Sequence, residues 1–110
     1  MIREFIMTPV FDMRWDKLGL TDDDLIDFQN LLMKNPFAGD IIQESGGARK
    51  IRFAFSDSGK SGGVRVIYVD FTHLDRTFLL LCYAKKDDDD LTAQQKKQLK
   101  TAIKELKEAQ

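Results

Sequence analysis

The sequence predicts an α+β domain: a small, twisted, mainly antiparallel sheet with two early helices on one face and a last helix at the C-terminal end. Three observations predict it. The first third of the chain carries two runs with helical apolar spacing, each opened by a capping residue. The middle carries strand-like runs, one of them alternating apolar and cationic residues from Arg49 to Phe53. These runs are joined by short connections rich in turn residues, which favours hairpins and so antiparallel pairing. At 110 residues the chain is one domain, 1–110, with room for one core.

In chain order, Met1 to Met7 reads as a short first strand. Thr8-Pro9 supplies a cap followed by proline at the first helical position, and a helix through Phe11, Met13, Trp15 and Leu18 ends at Gly19. Thr21 with Asp22, Asp23 and Asp24 opens a second helix, where the helix dipole favours acids. Leu25, Phe28, Leu31 and Leu32 give it one apolar face, and it stops near Asn35-Pro36. Consecutive carboxylates on a helix point in different directions, so the three aspartates read as a helix start rather than a metal site. A turn and a short extended piece, Ile41-Ile42, lead to Gly46-Gly47, which breaks the chain before a strand from Arg49 to Phe55.

Ser56 to Gly63 is a Gly/Ser/Asp hairpin loop. Its Gly59-Lys60-Ser61 resembles part of a phosphate-binding loop, but that pattern needs glycine at position 54, where Ala54 stands, and a helix afterwards, where a strand follows. Val64 to Phe71 is the next strand. Thr72 to Arg76 turns the chain, placing the single histidine, His73, in an exposed turn rather than a catalytic setting. The continuous apolar run Thr77 to Tyr83 reads as a central strand buried on both faces. Asp87 to Asp90 then leads into a last helix with the capping box Thr92-Ala93-Gln94-Gln95 and a narrow apolar stripe of Leu99, Ile103 and Leu106.

The formal net charge of −1 hides an uneven distribution. Residues 1–45 hold four Lys/Arg against nine Asp/Glu, residues 46–86 hold eight against three, and residues 87–110 hold five against six. The middle of the chain is therefore a basic patch, and patches decide anion binding more than totals do. In an extended Arg49–Phe55, Ile51, Phe53 and Phe55 share one face while Lys50 and Arg52 share the other. A sheet that buries one face and displays cations on the other suits a polyanion. Cys82 is the only cysteine, so no intrachain disulfide forms, and no apolar run nears the ~18 residues of a membrane span. With no leader pattern either, a cytoplasmic protein with no membrane partner is expected.

Taken together, the element order and several stretches resemble the RelE/ParE superfamily of toxins from type II toxin–antitoxin systems, most closely its HigB-like branch. The stretches are Gly46 to Arg52, Gly62 to Tyr68, Tyr83-Ala84-Lys85-Lys86 with the acidic run and Leu91-Thr92, and Gln95 to Leu99. The resemblance implies a RelE-like fold and a ribosome-dependent endoribonuclease that cuts messenger RNA without metal or cofactor. It implies as partners the ribosome and messenger RNA, and a cognate antitoxin with a helix-turn-helix DNA-binding domain. Operator DNA would be met only through the antitoxin complex.

Such cleavage drives a 2′-hydroxyl onto the adjacent phosphorus. It needs a base for that hydroxyl, cations for the extra phosphorane charge and an acid for the leaving 5′-oxygen. A lysine crowded by cations becomes a usable base. By match to the family's basic positions, Lys50 is a candidate base or phosphate ligand and Arg52 a phosphate clamp. Arg65 is the candidate for transition-state charge, and Lys85 and Lys86 are candidates for the acid or a further phosphate contact. Arg49, Lys60 and Tyr83 complete the expected RNA contacts. Several relatives place a catalytic tyrosine or histidine near the start of the final helix, where this chain has Leu91-Thr92. The alternatives are a ParE-like toxin that inhibits gyrase by protein binding and needs no cation cluster, and a degenerate member that only binds antitoxin.

Overall fold

The computed structural model describes residues 2–54, 63–87 and 90–110. The expected Ser56–Gly63 hairpin loop, apart from Gly63, lies outside the described residues, as do Phe55 and Lys60. Among the described residues, strands β1 (Glu4–Met7), β2 (Asp40–Ile41), β3 (Arg49–Phe53), β4 (Val64–Phe71) and β5 (Arg76–Ala84) form one sheet. Helices α1 (Pro9–Lys17) and α2 (Asp22–Lys34) follow β1, and α3 (Ala93–Glu108) closes the chain.

All three helices begin where the sequence places a capping threonine. The Thr8 hydroxyl accepts from Phe11 N–H at 3.1 Å, Thr21 from Asp24 N–H at 3.1 Å, and Thr92 from Gln95 N–H at 3.1 Å. Thr21 and Thr92 complete capping boxes, since Asp24 and Gln95 bond back to the cap backbone. Each such cap contributes about 1 kcal/mol.

The strand order is β1-β5-β4-β3-β2. Neighbours from β2 to β5 pair antiparallel, whereas β1 pairs parallel with β5, Glu4 opposite Arg76. The expected Thr77–Tyr83 strand, β5, is an interior strand with side chains in the cores of both faces, second from the edge, and β4 takes the middle of the sheet. Arg65 and Asp70 interrupt the hydrophobicity of β4, so its sequence predicts a strand without marking it as the middle one, yet almost all of it is buried. Between β4 and β5 the register shifts: Ile67 faces Leu81 while Tyr68 faces Leu79, leaving Leu80 as one extra residue on β5. That is a β-bulge.

The two faces of the sheet carry separate cores. Phe11 and Trp15 of α1 and Phe28 and Leu32 of α2 pack on Val64, Val66, Tyr68, Leu79 and Cys82. On the opposite face Ile103 of α3, flanked by Leu99 and Leu106, packs on Ile67, Val69, Phe71 and Phe78. The expected helix stripe is therefore the buried one. Tyr68 locks the first core to the chain after α2, its hydroxyl donating to Pro36 O at 2.8 Å and accepting from Gly39 N–H at 2.9 Å. Glycine at 39 allows the close approach, because an added Cβ would lie 3.0 Å from Tyr68 Cε1 and 3.1 Å from Lys50 O and would force a small shift. Ahead of β3, the Ser45 hydroxyl donates to Ile42 O at 2.6 Å and accepts from Ala48 N–H at 3.1 Å. This turn fixes where the alternating run begins.

A cationic row on the sheet face beside α3

Register decides which basic residues share a face. Arg52 lies directly opposite Arg65, and Arg65 directly opposite Tyr83, so these three side chains form a row across β3, β4 and β5. Lys50 pairs with Ile67, one step along the same face. Directly opposed residues bring their Cβ atoms to about 5 Å, and like charges so placed oppose folding. Arg52 and Arg65 are such a like-charged pair across β3 and β4. The members differ in access. Arg65 is 8% exposed, Lys50 is half-buried and Arg52 stands in solvent.

Lys85 and Lys86 follow Tyr83 by two and three residues, in a 3₁₀ turn (Lys85–Asp87) at the Ala84 end of β5, and both are exposed. Since Ala84 pairs with Val64, next to Arg65, they leave the sheet beside the arginine row. The fold thus brings Lys50, Arg52, Arg65 and Tyr83 together and sets the lysine pair at their edge.

Arg49 is not among them. It pairs with Tyr68 and points to the helix-covered face. There its guanidinium donates to Gly39 O at 2.7 Å and sits 5.0 Å from the Phe37 ring centroid. The geometry gives it the role of a clasp between β3 and the chain after α2. Its neighbour Tyr68 is buried, and burial pushes that phenol above its ordinary 10.0. The Cys82 thiol, on the same face, is pushed from 9.0 to about 12, mainly by burial, with Arg14 of α1 acting against the shift. His73 stands exposed in the turn before β5, apart from the row. Among the described residues no three His, Cys, Asp or Glu side chains gather as a metal site would require.

The sequence reading missed Arg14. It lies on the exposed side of α1, in an acidic third of the chain, yet lines cavities with Tyr83, Asp87 and Asp90. Helical spacing marks it as solvated, and only the packing of α1 along β5 brings it to Tyr83.

Helices on both faces of a five-stranded sheet, with a cationic row on one of them, define the class of domain. Residues 7–110 match the family model described as the RelE toxin of the RelE/RelB toxin–antitoxin system, and the chain belongs to that family. It is similar in fold to the crystal structure of the intact E. coli RelBE toxin–antitoxin complex. The TM-score there is 0.55 at 15% identity, covering 76% of this chain and 96% of that one. An E. coli RelE double mutant in the free state matches with a TM-score of 0.55 at 14% identity, over 79% and 88%. Among the described residues no helix is long and apolar enough to cross a membrane.

Proposed function

We propose that this chain is the toxin of a type II toxin–antitoxin pair, of the HigB-like branch, and that it cleaves messenger RNA on the ribosome without metal or cofactor. The observation that carries the reading is the register of Arg52 opposite Arg65, with Lys50 on the same face. Two arginines whose Cβ atoms lie about 5 Å apart can both reach the non-bridging oxygens of one phosphate, and arginine grips them as a fork. They counter charge that grows as phosphorus becomes five-coordinate, so they bind the transition state more strongly than the ground state.

In this scheme Lys50 is the base for the 2′-hydroxyl or a further phosphate ligand. The hydroxyl oxygen bonds to phosphorus, the P–O5′ bond breaks, and Lys85 or Lys86 supplies the proton to the departing oxygen. Tyr83 closes the row on the β5 side. Family membership supports an antitoxin as the natural partner, with the ribosome as the place of action in the cytoplasm. Operator DNA is met only through the antitoxin.

Primer extension on messenger RNA after induced expression tests the reading. Codon-phased cuts that disappear in Arg52→Ala and Arg65→Ala, while circular dichroism shows folded protein, are the expected result. Growth arrest with DNA damage and intact messenger RNA would instead establish gyrase as the target. Full toxicity in a Lys50→Ala, Arg52→Ala, Arg65→Ala triple variant would remove these residues from the mechanism.

A further inference from the structure

Beside the arginine row, a cavity of about 240 Å³ opens between α1 and the start of α3. Its apolar wall is Leu81, Tyr83 and Leu91, and its polar rim is Arg14, Asp87, Asp90 and Gln95. A second cavity of about 230 Å³ shares Arg14, Tyr83 and Asp87 and runs along α1 to Lys17. The carboxylates are the puzzle. Acids beside a row meant for phosphate weaken binding by repulsion, unless they contact a part of the ligand that presents donors.

We propose that this cavity is a nucleobase subsite that selects guanine. An unstacked base needs an apolar or aromatic surface for its face and polar groups for its edge. Leu81 and Leu91, both half-buried, supply most of the first, and Tyr83, 9% exposed, adds its accessible edge. For the second, a carboxylate offers two acceptor oxygens and no donor. Guanine alone among the four RNA bases presents two adjacent donors, N1–H and the N2 amino group, on its Watson–Crick edge. Gln95 completes the match. Its carbonyl oxygen is engaged by Thr92 N–H at 2.9 Å in the capping box, so toward a ligand it offers amide N–H donors. These suit guanine O6 and oppose the amino group that adenine carries at the same place. Arg14, exposed and lining the same cavity, offsets the charge of the two aspartates. Because Tyr83 belongs to both the cavity and the row, the base held here neighbours the phosphate held by Arg52 and Arg65.

The biological meaning rests on the RNA-cleavage reading, whereas the binding chemistry does not. The test is NMR titration of the full chain with the 5′-monophosphates of guanosine, adenosine, cytidine and uridine. GMP is expected to shift the amides of Tyr83, Asp87, Leu91 and Gln95 and to bind roughly tenfold more tightly than AMP. Asp87→Asn with Asp90→Asn is expected to abolish that preference while the spectrum stays dispersed. Gln95→Glu, which keeps the capping box but replaces donors by acceptors, is expected to lower the GMP-to-AMP ratio on its own. Equal binding of all four nucleotides, or no shift at these amides, overturns the subsite. Messenger RNA cuts without guanine-selective binding leave the nuclease standing and remove the subsite. Selective GMP binding without cuts does the reverse.

Discussion

Arg49 and Arg52 lie on the same five-residue strand and are used in opposite ways. Arg49 turns toward the helices, donates to Gly39 O and stacks near Phe37. Arg52 turns toward the α3 side, stays in solvent and faces Arg65. The difference extends to the faces they belong to. The helix-covered face joins its polar groups to the protein itself, as Tyr68 does with Pro36 and Gly39. The other face packs α3 over part of its area and concentrates cations on the rest. A run of basic residues on a strand is therefore two populations, and parity assigns each residue to stability or to binding.

The comparison breaks first where the cost is largest. Phe28→Ala empties a fully buried site beneath α2 and should lower unfolding free energy by about 3–5 kcal/mol in urea titration. A loss below about 1 kcal/mol would mean that the helix-covered face is not where stability resides. Tyr68→Phe deletes one hydroxyl that serves two backbone groups and should cost about 2 kcal/mol, read the same way.

Arg49→Ala and Arg52→Ala sharpen the contrast directly. The first should cost about 1.5 kcal/mol of stability through its lost charged hydrogen bond. The second should change stability by less than about 0.5 kcal/mol, and yet should abolish toxicity. If Arg49→Ala abolishes toxicity in a protein that melts like the parent, the division between faces fails.

The smallest effect is a slope with pH. Cys82 is held protonated in the folded protein up to about 12, whereas in the unfolded chain it ionises near 9.0. The raised value favours folding fully below pH 9, and that contribution is lost as pH climbs from 9 toward 12. Tyr68 shifts in the same direction. Urea midpoints should therefore fall above pH 9, and Cys82→Ala should flatten the decline.

Much of this was legible in the residues. The three capping threonines and the apolar stripes set the helices, and the alternation at Arg49–Phe53 separated Lys50 and Arg52 from the core. Parity places Arg49 with Ile51 and Phe53, but its bond to Gly39 O reaches ten residues back, which no local pattern encodes. The parallel placement of β1 beside β5 depends on how α1 and α2 return the chain, which no local pattern encodes. Arg14 escaped for the same reason. The strand at Val64–Phe71 was legible but its middle place was not, because a buried arginine reads as a surface one until its register partner is known.

The single extra residue at Leu80 has a consequence for what the site is made of. Before the bulge, even-numbered residues of β5 such as Phe78 share the face of α3; after it, odd-numbered ones such as Leu81 and Tyr83 do. Were Leu80 instead paired in turn, opposite Ile67 with no residue bulged out, Cys82 would fall opposite Arg65 and Tyr83 opposite Val64 on the face of α1. A thiol and a phenol would exchange worlds without any change of letter at either position. The identity of the chemistry here is thus counted rather than spelled.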